Sequence, residues 1–145
     1  MLEQLLIGGV TIAVTVVIQV VFIGLLVKGL SACGQMLSRP PHTVKFICSL
    51  VFIVLWLFLG LSASSWAWGF LFLLLGAFET MEPALYFSIV TFTTLGYGDI
   101  TLPGEWRILG SIAAVNGLII VGLNTAFLVE AITRIRNGQT TKLHK

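Results

Sequence analysis

The sequence predicts an all-α transmembrane fold: three spanning helices and, between the second and the third, a re-entrant half-helix that leads into a glycine-rich loop. Three observations carry this. Of 145 residues, 57% are hydrophobic and only 10% are charged, and the mean hydropathy is +1.04, a balance found in integral membrane proteins. Three stretches are apolar over the roughly 20 residues that a helical crossing needs, which leaves no room for a separate soluble domain. The segment Thr91-Phe92-Thr93-Thr94-Leu95-Gly96-Tyr97-Gly98-Asp99 is too polar and too rich in glycine for a lipid-facing helix, yet it stands just before the last apolar stretch.

Residues 4–27 form the first span. They carry no charge, and Gln4 and Gln19 are their strongly polar side chains. The chain starts Met1-Leu2-Glu3 and turns basic only at Lys28, the reverse of a cleaved signal peptide, so this helix is expected to stay, with its start outside. Gly8, Gly9 and Gly24 offer places where a neighbouring helix can approach. Residues 28–45 read as a polar cytoplasmic linker in which Pro40 and Pro41 break any helix, and His42 beside them reads as solvated. Cys33 and Cys48 are too few for a disulfide framework and read as small apolar residues on the reduced side of the membrane. Residues 1–45 are therefore expected to be a helix with its linker, and residues 46–145 a second module.

That module opens with an outer helix at about 46–70. Trp66 and Trp68 are placed near the outer interface, where indoles collect, and residues 70–78 either continue the helix or pack as a turret. Glu79-Thr80-Met81-Glu82-Pro83 is a helix start, with a proline in the first turn. The helix it begins, about 83–93, measures roughly 16 Å at 1.5 Å per residue and crosses half a bilayer. Its carbonyl end points toward the membrane centre and presents the negative end of the helix dipole to a cation; at that depth such a half-helix needs protein around it. After a loop containing Trp106, residues 108–132 form the inner span. Asn116 and Asn124 interrupt it and are expected to face protein or water, and Gly117 and Gly122 are places to bend or to pack. A short cytoplasmic tail follows.

The loop at 94–99 is where chemistry enters. Gly96 and Gly98, alternating with Leu95 and Tyr97, permit backbone torsions closed to other residues, so that successive carbonyl oxygens can face one way and replace water around a cation. Thr94-Leu95-Gly96-Tyr97-Gly98 agrees at four of five positions with the TVGYG filter pattern of potassium channels. A Gly-x-Gly pair between threonines also suits a tight extracellular turn; the half-helix before it, the acid after it and the span beyond it favour the filter. Charge supports the direction. Lys28, Arg39, Lys45, Arg134, Arg136, Lys142 and Lys145 fall inside and only Arg107 outside, which satisfies the positive-inside rule. Glu3, Glu79, Glu82, Asp99 and Glu105 fall outside and only Glu130 inside, giving an acidic mouth that concentrates cations.

From Ala84 to Asp99 the chain resembles the pore-helix and filter segment of tetrameric potassium channels, most of all the small bacterial members, with an extra N-terminal helix. The likeness extends over about residues 70–130. It implies that the carbonyls of Thr94, Leu95, Gly96 and Tyr97, with the Thr94 hydroxyl and Gly98 completing the loop, hold potassium ions; that Asp99 braces the filter from behind; and that the Tyr86 hydroxyl bonds Asp99 where relatives often carry a tryptophan. It also makes Gly117 the counterpart of the inner-helix glycine taken as a gating hinge. Leu95 replaces the commoner valine, Val90 stands where some relatives have a glutamate, and Asn124-Thr125-Ala126 replaces the Pro-x-Pro bend.

One such loop cannot enclose an ion, so a homotetrameric pore in the lipid bilayer is expected, with Leu118, Val121 and Thr125 lining its cavity. The implied function is passive, selective conduction of K+ across the plasma or inner membrane, with the N-terminus outside and the C-terminus cytoplasmic. No cofactor and no nucleic acid enter this reading. No arginine ladder, P-loop or catalytic constellation suggests a voltage sensor, a nucleotide site or an enzyme, and no cytoplasmic ligand-gating domain is expected. The alternatives are a weakly selective cation channel, if Leu95 loosens the filter, and a non-conducting membrane interaction protein that binds a partner through Trp66, Trp68 and the neighbouring serines.

Overall fold

The computed structural model describes residues 1–37 and 42–140. The described residues form helices α1 (Leu2–Leu37), α2 (His42–Leu74), α3 (Met81–Phe92) and α4 (Arg107–Thr140), with a short 3-10 turn at Gly104–Trp106 and no strand. Three stretches are long and apolar enough to cross a membrane, Leu2–Ser31, Val44–Leu74 and Gly104–Ile135. α3, with 12 residues, reaches only about 18 Å. It packs against both α2 and α4, while α1 lies against α2 and α4 on another side.

The three long helices outrun their expected bounds. The first span, expected at 4–27, covers Leu2–Leu37, so Lys28–Leu37 is helix and not linker. That segment contains no proline, and lysine, leucine, serine and glutamine all tolerate a helix; Pro40 and Pro41 lie outside the described residues. The outer helix runs from His42 to Leu74 rather than 46–70. It ends in a Schellman motif: Gly76, at φ +68°, donates to the Leu73 carbonyl and Ala77 donates to that of Phe72, both at 3.0 Å, so the last carbonyls are satisfied and the chain reverses. The half-helix is Met81–Phe92 rather than 83–93, with Pro83 still in its first turn. The inner helix is Arg107–Thr140 rather than 108–132.

Two apolar clusters hold the helices together. The first joins Trp68, Phe72, Ala84, Phe92, Leu109 and Ile120 around α3, with Phe72 meeting Phe87 edge to face at 5.3 Å and 82°, a geometry that aromatic rings prefer. The second joins Leu26, Ile53, Leu57, Ala131 and Ile135 toward the other end of the long helices. Trp68 is fully buried in the first cluster, so its indole meets protein, while Trp66 is 45% exposed. Trp106 also packs onto the first cluster. Along α1, buried Thr15 and Gln19 fall between residues of the two clusters, while on α4 buried Asn116 lies between Ala113 and Ile120 of the first.

Candidate ion path

α3 delivers the chain directly into the loop. Its last carbonyls, which lack partners inside the helix, are taken up by the residues that follow: Thr93 N–H donates to Ile89 at 3.0 Å, Leu95 N–H to Val90 at 2.9 Å and Gly96 N–H to Val90 at 3.2 Å. The Thr93 hydroxyl also donates to Ile89 O at 2.7 Å. The loop is thus tied to the helix by its N–H groups, and none of the turn and loop backbone bonds among the described residues ends on a carbonyl from Thr94 to Tyr97. Backbone carbonyls are obligatory acceptors, so these four are left for another partner.

The torsions alternate. Thr94, Gly96 and Gly98 have φ of +60°, +55° and +76°, while Leu95 and Tyr97 between them do not enter the positive region. Thr94 is the single positive-φ residue other than glycine among the described residues, and this left-handed conformation costs a β-branched side chain about 1–2 kcal/mol. Such strain persists only where the surroundings over-determine it. Residues Thr93 to Asp99 are all exposed, with Leu95 at 55% and Tyr97 at 68%.

Behind the loop, the Tyr86 hydroxyl donates to Asp99 Oδ2 at 2.7 Å, the bond that the resemblance implied. It holds the Asp99 carboxyl below its ordinary titration range, and the same bond pushes the Tyr86 hydroxyl upward. Gly117 meets the base of the loop. A Cβ built on it would stand 1.9 Å from the Phe92 carbonyl oxygen and 2.7 Å from the carbonyl carbon, so only glycine allows α4 to reach the end of α3 this closely. Gly122 has nothing within 4 Å. Leu118 and Val121 are 59% and 43% exposed and Thr125 is exposed, on the side of α4 away from buried Leu109, Ala113, Asn116 and Ile120. The Thr125 hydroxyl donates back to Val121 O at 2.9 Å.

The sequence reading assigned no partner to the polar residues of the first helix. Gln4 Oε1 accepts from the Leu109 N–H at 3.3 Å, Asn116 Nδ2 donates to Thr15 Oγ1 at 2.6 Å, and Gln19 Nε2 donates to Asn124 Oδ1 at 2.5 Å. α2 joins through the Trp56 indole N–H, which donates to Phe22 O at 2.9 Å. The signal was present in four amides, Gln4, Gln19, Asn116 and Asn124, inside otherwise apolar spans.

Long apolar helices around a half-helix that opens into an alternating, glycine-containing loop define the class as a multi-pass membrane protein. The chain belongs to the family described as Ion channel, whose model matches residues 46–134, from the second turn of α2 to the last third of α4; α1 lies outside the match. That family is one of ion channels rather than of enzymes. Among curated proteins it is similar to the A-type voltage-gated potassium channel KCND3 of rat, rabbit and human, each 36% identical over 61 residues, which is 40% of this chain and 9% of the relative. The matched stretch is thus a small part of those proteins. No solved structure gives a significant match.

Proposed function

We propose that the chain is a potassium-selective channel in which Thr94, Leu95, Gly96 and Tyr97 line the ion path with their carbonyls, joined by the Thr94 hydroxyl and closed by Gly98. The observation that carries this reading is the alternation of φ at Thr94, Gly96 and Gly98 in a loop whose first three N–H groups, those of Thr94, Leu95 and Gly96, are spent on α3. Alternating handedness turns successive peptide units so that their oxygens share a side, and rings of carbonyls then replace the hydration shell of the ion. The pore-segment resemblance to small bacterial potassium channels, and the potassium channel relatives, support the same ion.

Four copies surround one path, because a single loop offers one wall. The exposure of residues 93–99 and of Leu118, Val121 and Thr125 in one chain supports their meeting other copies and the conducted ions. Ions move by knock-on between adjacent sites, entering because the carbonyls compensate dehydration and leaving because neighbouring ions repel. The α3 dipole stabilises a cation at the inner end of the loop. Asp99, braced by Tyr86, supports the loop, and Gly117 serves both as the contact with Phe92 and as the place where α4 bends. The N-terminus lies outside the plasma or inner membrane and the C-terminus in the cytoplasm, as the positive-inside rule requires.

Two measurements test this together. The protein in mild detergent is expected to run as a tetramer, and a stable monomer or dimer sinks the pore. Potassium-tracer flux into liposomes is expected with the wild type and not with Gly96→Ala, since alanine at φ +55° is strained; unchanged flux removes the loop from the ion path.

A further inference from the structure

α1 grips the back of α4 at three depths. Gln4 takes the Leu109 N–H, one of the first-turn amides that have no acceptor within their own helix. Deeper along both helices come Asn116 with Thr15 and Gln19 with Asn124. Residues 4, 15 and 19 share one stripe of α1, and 109, 116 and 124 one stripe of α4, because steps of three, four, seven, eight and eleven residues return to the same helix face. The opposite face of α4 carries exposed Leu118, Val121 and Thr125. The helix that the proposed ion path runs along is therefore held from behind by a helix outside the channel family match.

This seam is incompletely satisfied. Thr15, Gln19 and Asn116 are fully buried, yet Gln19 Oε1 and Asn116 Oδ1 have no donor. An unmet acceptor in a membrane interior is costly. Each of these amides carries two N–H groups and spends one on the bond it makes. Gln19 stands one helical turn along α1 from Thr15, the partner of Asn116, so the two amides can instead bond one another, each turning its N–H to the other's oxygen and releasing Asn124 and Thr15. Gly60 gives Gln19 its space, since a Cβ there would stand 2.7 Å from Gln19 Oε1. The neighbouring contact of α4 has no such latitude: Gly117 is pressed onto the Phe92 backbone.

We infer that Thr15 and Gln19 are positioning residues that set the open probability of the pore, because exchange between these two amide pairings permits α4 to change its seat on α1. The inference rests on the channel reading above. Single-channel recording of the purified full chain in planar bilayers tests it. Gln19→Leu and Asn124→Leu are expected to change open probability about five-fold or more, the range of ordinary coupling between sites, with unitary current and reversal potential unchanged. The exchanged pair, Gln19→Asn with Asn124→Gln, keeps the combined reach of the two side chains and is expected to restore wild-type gating. Should Gln19→Leu fail to assemble, Thr15→Val, which removes only the hydroxyl, carries the same expectation. Wild-type open probability in the single variants overturns the inference and leaves the channel standing. A shift of reversal potential along with gating overturns it as well, since that marks general loosening. Absence of any wild-type current overturns both readings.

Discussion

The base of the loop and the α1–α4 seam both meet α4 and are built from opposite materials. At the base, backbone meets backbone: Gly117 lies against the Phe92 carbonyl, Val90 O receives two N–H groups from the loop, and the torsions of Thr94, Gly96 and Gly98 follow. At the seam, flexible amide side chains meet an amide, a hydroxyl and a backbone N–H, with two acceptors to spare. A site that must tell one ion from another needs fixed oxygens, and backbone contacts leave them no rotamers. A helix that must move needs partners it can exchange, and side-chain amides provide them at small cost: a hydrogen bond between membrane helices contributes only about 0.6 kcal/mol on average.

Substitutions that fill space separate the two regions most strongly. Gly117→Ala is expected to have the largest effect, because its Cβ would collide with backbone that cannot step aside; overpacking of this kind costs about 1–3 kcal/mol or more. Thermal unfolding of the detergent-solubilised protein is expected to show a clear loss of stability, with loss of tetramer and of flux. A Gly117→Ala protein that stayed stable and conducting would erase the contrast. Gly60→Ala meets the end of a flexible side chain instead. It is expected to displace Gln19, cost on the order of 1 kcal/mol, and leave assembly and selectivity intact. Gly24→Ala is the lower bound: nothing lies within 4 Å of it, and stability is expected to stay within about 0.5 kcal/mol.

A pH titration sharpens the loop side of the comparison. The Tyr86 hydroxyl lowers the Asp99 titration, so the folded form binds that proton less readily than the unfolded form. The support this bond gives is complete above the ordinary carboxylate range, near pH 4, and is lost as pH falls through the lower folded value. Current is therefore expected to withstand acidification of the outer side to about pH 4 and to fall below it. Tyr86→Phe is expected to move that fall to higher pH and to make current decline sooner during sustained opening. An identical titration in wild type and variant would show that the bond does not support the loop.

Much of this was legible from residue types alone. The spans follow from composition, and Thr94 to Asp99 stood out because its polarity made no sense as a lipid-facing helix. The Tyr86–Asp99 bond followed from the resemblance. The end of α2 was misplaced although Gly76 is a recognisable helix stop; a run of tryptophans and serines drew the boundary toward Trp66 and Trp68. The burial of Trp68 was not legible, because a helix that is apolar all round does not say which side meets lipid and which meets protein. The docking of α1 was half legible. Gln4, Gln19, Asn116 and Asn124 announced themselves as polar groups in need of partners, but the partners lie about 100 positions away in the chain, and spacing within one helix does not pair it with another.

Selection of potassium by the backbone of residues 94–98, as proposed above, requires that Leu95 in place of valine leave the carbonyl sites intact. Bi-ionic reversal potentials of the purified wild-type protein in planar bilayers, with potassium on one side and sodium on the other, test it most directly. The reversal potential is expected to be displaced far in the direction that potassium permeation dictates. A reversal near zero, equal permeability for the two ions, would contradict it.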